Sequence, residues 1–101
     1  MTQRQKMNKG YLIAHFSVTD PETFGDYVRA ADEAVKKYDP KIIAWSGQFE
    51  NLEGEAHEQH MIFEFRSYED AKNFYQSPAY QAAKAIRIQA ATGTFTLVEG
   101  V

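Results

Sequence analysis

Residues 11–22 read YLIAHFSVTDPE and predict a β-strand that passes directly into a helix. The first eight of these residues are rich in aromatic and β-branched side chains, which is typical of strands. Asp20 or Thr19 can cap the helix, and Pro21 suits its first turn because that position needs no N–H donor. The junction therefore fixes one strand and one helix start, from which the rest of the chain can be traced.

The remaining segments continue this alternation. The pattern predicts, in order, a helix that ends before Pro40, strands over residues 42–52 and 60–65, a helix from Ser67, and a last strand over residues 94–99. Gly47 indicates a bulge or bend in the second strand. Pro78 divides the second helix, because proline can start a helical turn but cannot continue one. The order β-α-β-β-α-β predicts an α+β, ferredoxin-like split β-α-β fold with a four-stranded antiparallel sheet.

Length and composition limit the classes of protein that fit. The 101 residues suffice for one domain, which we expect over residues 9–101 after a disordered tail at residues 1–8. A net charge of −3 without a basic stripe disfavours binding to nucleic acid. The chain contains no Cys, which excludes disulfides and thiolate chemistry. It shows no signal peptide or membrane-spanning run, so we expect no membrane partner and a cytoplasmic location.

Both faces of the first strand carry apolar side chains. Alternate residues place Leu12, Ala14, Phe16 and Val18 on one face and Tyr11, Ile13 and His15 on the other. An antiparallel sheet with one face in water normally alternates apolar and polar residues. We therefore expect a second copy of the chain to cover the face without helices, giving a homodimer with a two-fold axis.

Short motifs along the chain resemble a known family. They are Lys9-Gly10-Tyr11, Ala14-His15-Phe16, Asp20-Pro21-Glu22, Leu52-Glu53-Gly54, Glu64-Phe65 followed by Ser67, Phe74-Tyr75-Gln76-Ser77-Pro78, Tyr80-Gln81, Arg87, Ala90-Ala91-Thr92-Gly93 and Val98-Glu99-Gly100. Over residues 9–101 the chain resembles domain-of-unknown-function family 1330 (DUF1330). That family looks like part of the dimeric α+β barrel group, so the resemblance implies that two ferredoxin-like subunits pair into a dimeric α+β barrel.

The chain departs from the family pattern at three places. Asp39-Pro40 stands where Gly-Gly is usual, and Trp45-Ser46-Gly47 stands where Arg-Gly-Gly is usual. A further usual Arg, near the start of the third strand, is replaced by Gln59 or His60. If those arginines bind an anion in the family, the resemblance does not carry that role over to this chain.

His15 and Glu64 are the candidate catalytic residues. His15 lies in mid-strand and can act as an acid or base near neutral pH, or simply be satisfied by a carbonyl or a tyrosine hydroxyl. Glu64 lies in the third strand, which this fold places beside the first. The two form an acid–base dyad if they share a face, whereas a structural salt bridge from Glu64 to Arg87 or Arg66 is the alternative.

Tyrosines on the helical core faces are the candidate ligand-binding residues, namely Tyr27, Tyr75 and Tyr80. Buried tyrosine hydroxyls need polar partners, and Arg87 is the natural anchor for an anion among them. Together with His15 they form a convergent polar set in an apolar shell, which we expect on the helix-facing side of the sheet. Trp45 can form the floor of this pocket, or it can plug the barrel or the dimer interface.

The remaining histidines do not predict a metal site. His57 and His60 are spaced as His-x-x-His where a loop enters a strand, which is not the helical zinc-protease motif. We therefore expect no metal and no cofactor.

Two functional interpretations follow. In the first, the chain binds or transforms a small aromatic or acidic molecule between sheet and helices. The resemblance to the barrel group suggests cofactor-independent oxygenation, or isomerisation of aromatic or lactone-like substrates. In the second, the chain is a non-catalytic dimeric interaction or scaffold module. The presence of a cavity separates the two interpretations.

Overall fold

The computed structural model describes residues 8–101. Its elements are β1 (Gly10–Val18), α1 (Pro21–Tyr38), β2 (Lys41–Trp45), β3 (Gln59–Phe65), α2 (Tyr68–Gln76), α3 (Pro78–Ala90) and β4 (Ala91–Glu99). The four strands form one antiparallel sheet in the order β2-β3-β1-β4. This confirms the predicted α+β, ferredoxin-like fold. The predicted tail lies outside the described residues, apart from Asn8.

Local capping explains where α1 begins and ends. The Asp20 carboxylate accepts a hydrogen bond from the backbone N–H of Thr23 at 3.2 Å, and Pro21 occupies the first turn. At the other end Asp39 adopts a left-handed conformation, and its N–H donates to the carbonyl of Val35 at 2.7 Å. No helix within residues 8–101 combines the length and the apolar character needed to cross a membrane.

Ser77 forms the joint between α2 and α3. Its hydroxyl donates to the carbonyl of Phe74 at 2.8 Å and accepts from the backbone N–H of Tyr80 at 3.2 Å. Pro78 then opens α3 at the position predicted from the sequence. One buried serine therefore ends α2 and starts α3. Its bond to the Tyr80 N–H fixes the first turn of α3, from which the Tyr80 side chain reaches the core.

The helices cover one face of the sheet and leave the other free. The hydrophobic core lies on the covered face and includes Leu12, Ala14, Phe16, Ala31, Ala34, Met61, Phe63, Phe65, Ala71, Phe74, Tyr80 and Ala83. The opposite face, here called the helix-free face, carries Tyr11, Ile13, His15, His60, Ile62 and Glu64 from the two central strands. Its middle row is apolar, whereas the rows at either end are polar.

The second strand is shorter than predicted. It ends at Trp45 because Ser46 adopts a left-handed backbone conformation, with φ of 54°, which takes the chain out of the sheet. The irregularity in its pairing lies between Ile42 and Ala44 rather than at Gly47. Residues 46–58 consequently form a long connection between β2 and β3.

The last strand begins earlier than predicted, at Ala91 instead of residue 94. Gly93 therefore lies inside β4 opposite Phe16, and it does not terminate the preceding helix. A Cβ atom there would collide with the carbonyl oxygen of His15. The glycine is required by the close approach of two strands.

Candidate functional site

A cavity of about 240 Å³ lies between α1 and the sheet, and is here called the helix–sheet cavity. Most of its lining is aromatic or aliphatic: Leu12, Tyr27, Val28, Ala31, Val35, Ile42, Trp45, Met61, Phe63, Phe74 and Tyr80. Asp32 is the charged residue of the lining, and its carboxylate pairs with Lys36 at 3.0 Å. The cavity is thus an apolar space of the kind that accepts a small organic molecule.

Trp45 stands at the rim of this cavity. It pairs with Met61 in the sheet register and therefore faces the helices. Its ring stacks on Phe63 with 6.0 Å between centroids and an interplanar angle of 21°, while 44% of the residue stays exposed. Trp45 thus lines the helix–sheet cavity.

A chain of hydrogen bonds links the cavity wall to a buried cation. The hydroxyls of Tyr27 and Tyr80 are 2.8 Å apart, and Arg87 donates from Nη1 to the Tyr80 hydroxyl at 2.6 Å. Arg87 is only 6% exposed. It forms no salt bridge with any carboxylate of residues 8–101, so the alternative pairing with Glu64 does not occur.

Aromatic rings surround the Arg87 guanidinium in place of a carboxylate. Its central carbon lies 3.7 Å from the ring centroid of Phe95 and 5.8 Å from that of Tyr27. Burial lowers the pKa of Arg87, but the neighbouring tyrosines, Tyr80 first, raise it by more, so the pKa is above its usual value. The guanidinium therefore carries a full charge that no carboxylate among residues 8–101 balances.

Tyr80 stays protonated beside this charge. Burial is the main reason that its pKa is raised far above the usual value, Tyr27 raises it further, and the positive charge of Arg87 offsets only part of this. A protonated hydroxyl that accepts from Arg87 still has its own proton to donate. This hydrogen-bonded chain can thus act as a relay of donors, from Arg87 through Tyr80 to Tyr27.

Tyr75 does not join the wall of the helix–sheet cavity. Its ring packs against Tyr80 with 5.1 Å between centroids, but it lines a separate cavity of about 370 Å³ together with Phe95 and Leu97. Tyr75 therefore packs against Tyr80 without lining the helix–sheet cavity.

The predicted pairing of His15 with Glu64 does not form. Both side chains lie on the helix-free face, but His15 is opposite His60 while Glu64 is opposite Tyr11. Glu64 accepts a hydrogen bond from the Tyr11 hydroxyl at 3.1 Å, and this bond is the main reason that the pKa of Tyr11 is raised. The second alternative also fails, because Arg66 pairs with Asp70 at 3.2 Å.

His15 also lies on the wrong side of the sheet for the expected site. Residues of a strand alternate between faces, and His15 is flanked by Ala14 and Phe16, which are buried beneath the helices. The sheet therefore separates His15 from Arg87. This corrects the expectation that both belong to one pocket on the helix-facing side.

All three histidines of the chain form a cluster that the sequence did not predict. The Nδ1 atoms of His15 and His60 are 2.7 Å apart, and His60 Nε2 lies 3.0 Å from the carbonyl oxygen of His57. His57 itself contacts the Ser17 hydroxyl through Nδ1 at 3.1 Å and the Glu55 carboxylate through Nε2 at 3.3 Å. The cluster depends on the return of residues 46–58 over the sheet, which no local pattern indicates.

No group of three or more potential metal ligands converges within the described part of the chain. The helix–sheet cavity, with its aromatic wall and the hydrogen-bonded chain of Tyr27, Tyr80 and Arg87, is the stronger candidate site. The histidine cluster is a second feature, on the opposite face of the sheet.

Solved structures with the same fold are known. A protein of unknown function from Rhodopseudomonas palustris aligns with a TM-score of 0.73 at 18% identity, covering 95% of this chain and 85% of that one. SnoaB, a cofactor-independent oxygenase from Streptomyces nogalater, aligns with a TM-score of 0.63 at 10% identity, covering 90% and 91%. A dimeric protein of unknown function and ferredoxin-like fold from Bacteroides fragilis aligns with a TM-score of 0.52 at 19% identity, covering 90% and 95%.

At these low identities the structural alignments show a shared fold and no shared function. No curated protein matches the sequence. The family model named Domain of unknown function (DUF1330) matches residues 9–101, as the sequence motifs predicted, and the chain belongs to the DUF1330 family.

Proposed function

We propose that the chain binds a small aromatic molecule with an acidic oxygen in the helix–sheet cavity. One observation carries the proposal: Arg87 is buried without a carboxylate, and Tyr80 connects it to an apolar cavity. Burying a charge without a partner of opposite sign costs free energy of folding. A ligand anion would supply the missing partner.

The size of the cavity limits the ligand. Its volume of about 240 Å³ falls just below the usual range for drug-sized ligands, which starts at about 300 Å³. One or two rings fit this space. Trp45 and Phe63 offer parallel ring faces at the rim, against which a flat ligand can stack.

The hydrogen-bond relay explains the preference for an acidic oxygen. Arg87 donates a hydrogen bond to the Tyr80 hydroxyl, and Tyr80 in turn can donate a hydrogen bond to the Tyr27 hydroxyl. The Tyr27 hydroxyl can then donate its own hydrogen bond to the ligand. Each hydroxyl is polarised by the donor that precedes it in this chain, and this polarisation strengthens the hydrogen bond from Tyr27 to the ligand. A carboxylate, phenolate or enolate oxygen is the best acceptor for such a donor.

The same relay supports an enzymatic role. Donors that are fixed in advance stabilise negative charge that develops during a reaction. A similar fold belongs to a cofactor-independent oxygenase, which favours a reaction of the bound anion that needs no cofactor. In this proposal His15 and Glu64 lie outside the reacting site, and Arg87 is a positioning residue that acts through Tyr80.

We also propose that the protein is a homodimer that forms through the helix-free face. Ile13 and Ile62 lie half-buried in the middle of that face, and Val98, opposite Tyr11 in the adjoining row, is 42% exposed. A two-fold axis would let these apolar side chains pack against their copies in the second subunit. The dimeric Bacteroides fragilis protein of the same fold supports this assembly.

Calorimetry with two matched probes tests the binding proposal. Benzoate and benzyl alcohol share a ring, but only benzoate carries an anionic oxygen. We expect benzoate to bind the wild-type protein at least about tenfold more tightly, since hydrogen bonds from a charged donor system are worth about 1.5–3 kcal/mol. The Arg87→Met variant should lose this difference. Equal affinity for both probes would contradict the relay, and binding of neither would favour the non-catalytic dimeric module.

A further inference from the structure

The lining of the helix–sheet cavity changes from buried to exposed along its length. At the inner end lie Phe74 and Tyr80, each only 1% exposed. At the outer end Val28 is 46% exposed and Ile42 58% exposed, and Trp45 is exposed to a similar extent. The cavity therefore has a closed inner end and an open outer end, which is formed by Val28, Ile42 and Trp45 and is here called the mouth.

The edge strand β2 places the mouth at one side of the domain. All five residues of β2 are exposed, and β3 is its neighbour in the sheet. Ile42 pairs with Phe63 in the sheet register, so its side chain points to the helix-covered face. Because Val28 belongs to α1, the mouth opens between α1 and β2. It lies away from the helix-free face that we propose as the dimer interface.

One row of the sheet runs from the inner end of the cavity to the mouth. Leu12 is opposite Phe63, and Phe63 is opposite Ile42, on the adjacent strands β1, β3 and β2. Neighbouring strands lie about 4.8 Å apart, so this row covers about 10 Å from Leu12 to Ile42. That span matches the length of two linked aromatic rings.

Charge and exposed apolar surface lie at opposite ends of this row. Arg87 acts through Tyr80 at the inner end, whereas the mouth is apolar. The charged residue of the lining is Asp32, and its side chain is more than half exposed. An acid that entered in the opposite orientation would place its carboxylate near that of Asp32 and away from Arg87. The cavity therefore favours a ligand whose acidic end points inward.

The size of the mouth fits part of a small molecule better than a protein partner. A stable interface buries roughly 800 Å² on each partner. Even a fully buried aromatic side chain contributes at most about 250 Å², so three side chains that are only about half exposed cannot supply that area. Exposed charged residues, Arg29 and Lys41, adjoin Val28 and Ile42 in the chain and limit the apolar surface.

We propose that the helix–sheet cavity binds an aromatic acid that carries an apolar group opposite its acidic oxygen. The inner ring lies over Leu12 with its acidic oxygen towards the Tyr27 hydroxyl, and the outer group packs against Ile42 and Trp45. This inference rests on the proposed function, because it needs the acid to reach the relay. Ile42 is then a specificity-determining residue that contacts the outer group and not the acid.

Calorimetry with two acids tests this inference. Benzoate has one ring, whereas biphenyl-4-carboxylate adds a second ring opposite the acid. We expect the biphenyl acid to bind about tenfold more tightly, since the second ring and the mouth remove apolar surface from water together. Absence of benzoate binding would contradict the proposed function itself. Benzoate binding that the second ring does not improve would overturn only the present inference.

A matched pair of variants tests the role of Ile42. Ile42→Ser should weaken binding of the biphenyl acid about three- to tenfold and leave benzoate binding within about twofold. Ile88→Ser is the control, because Ile88 is equally exposed but lies outside the lining, and it should change neither affinity. Equal effects of the two variants would overturn the proposal. So would a loss of self-association in Ile42→Ser, measured by sedimentation, with unchanged affinity for the biphenyl acid.

Nuclear Overhauser contacts on the wild-type complex give the orientation of the ligand. Protons of the outer ring should contact the methyl groups of Ile42, and protons of the inner ring those of Leu12. The reverse pattern would overturn the inward orientation of the acid.

Discussion

Replacing Tyr80 by Phe removes the hydroxyl at the centre of the relay. The change leaves Arg87 Nη1 without its acceptor and the Tyr27 hydroxyl without its partner. Tyr80 is 1% exposed, so water cannot replace the lost bonds without opening the core. A bond to a charged group is worth about 1.5–3 kcal/mol and a neutral bond about 0.5–1.5 kcal/mol, which gives a total loss of about 2–4.5 kcal/mol in the free energy of unfolding.

Urea unfolding, followed by far-ultraviolet circular dichroism, measures this loss. Tyr38→Phe is the matched control, because the Tyr38 ring packs on Phe74 while its hydroxyl makes no hydrogen bond within residues 8–101. We expect the control to change the free energy of unfolding by less than about 0.5 kcal/mol.

A double-mutant cycle with Arg87→Met separates the two bonds. Methionine removes the buried charge that needs the Tyr80 hydroxyl, so Tyr80→Phe should then cost only the neutral bond, about 0.5–1.5 kcal/mol. Arg87→Met alone should leave the free energy of unfolding unchanged or raise it, since buried charges are often replaced by apolar groups without loss. The same cost of Tyr80→Phe in both backgrounds would refute the relay.

Three further predictions concern the elements that position the site. Ser77→Ala should lower the free energy of unfolding by about 1–2 kcal/mol in urea titrations, because it removes the cap of α3; an unchanged midpoint would contradict this role. Gly93→Ala should strongly destabilise the fold in thermal melts while Gly47→Ala, in open space, should not, and equal melting temperatures would argue against the close strand approach. Hydrogen bonds from Thr23 lower the pKa of Asp20, so its stabilising effect is present above the unfolded pKa of about 4 and is lost as pH falls through the lower folded value. The melting-temperature difference between wild type and Asp20→Ala should therefore shrink from pH 7 to pH 3, and a constant difference would contradict it.

Local chemistry explains which parts of the fold could be predicted. The caps at Asp20 and Ser77 act through neighbours three residues away, so the sequence alone reveals them. The same holds for the break before Pro78. The end of β2 could not be predicted, because Gln48, Phe49 and Leu52 have side chains compatible with a strand while the left-handed turn at Ser46 carries only a weak signal.

The candidate site was only partly predictable for a related reason. The alternation along β1 already separates His15 from Phe16, but which face the helices cover depends on packing throughout the domain. The contact between His15 and His60 spans 45 residues and depends on strand register. The tyrosines and Arg87, in contrast, follow from helical periodicity, and the structure brings Tyr27, Tyr80 and Arg87 together.

A fluorescence titration with benzoate tests the central claim most directly. Trp45 is the only tryptophan of the chain and stands at the rim of the helix–sheet cavity, so its emission reports on that cavity. We expect benzoate to change the emission of the wild-type protein in a saturable manner, and Arg87→Met to require at least about tenfold more benzoate for half the change. No saturable change in the wild type, or the same affinity in both proteins, would contradict an anion site that depends on Arg87.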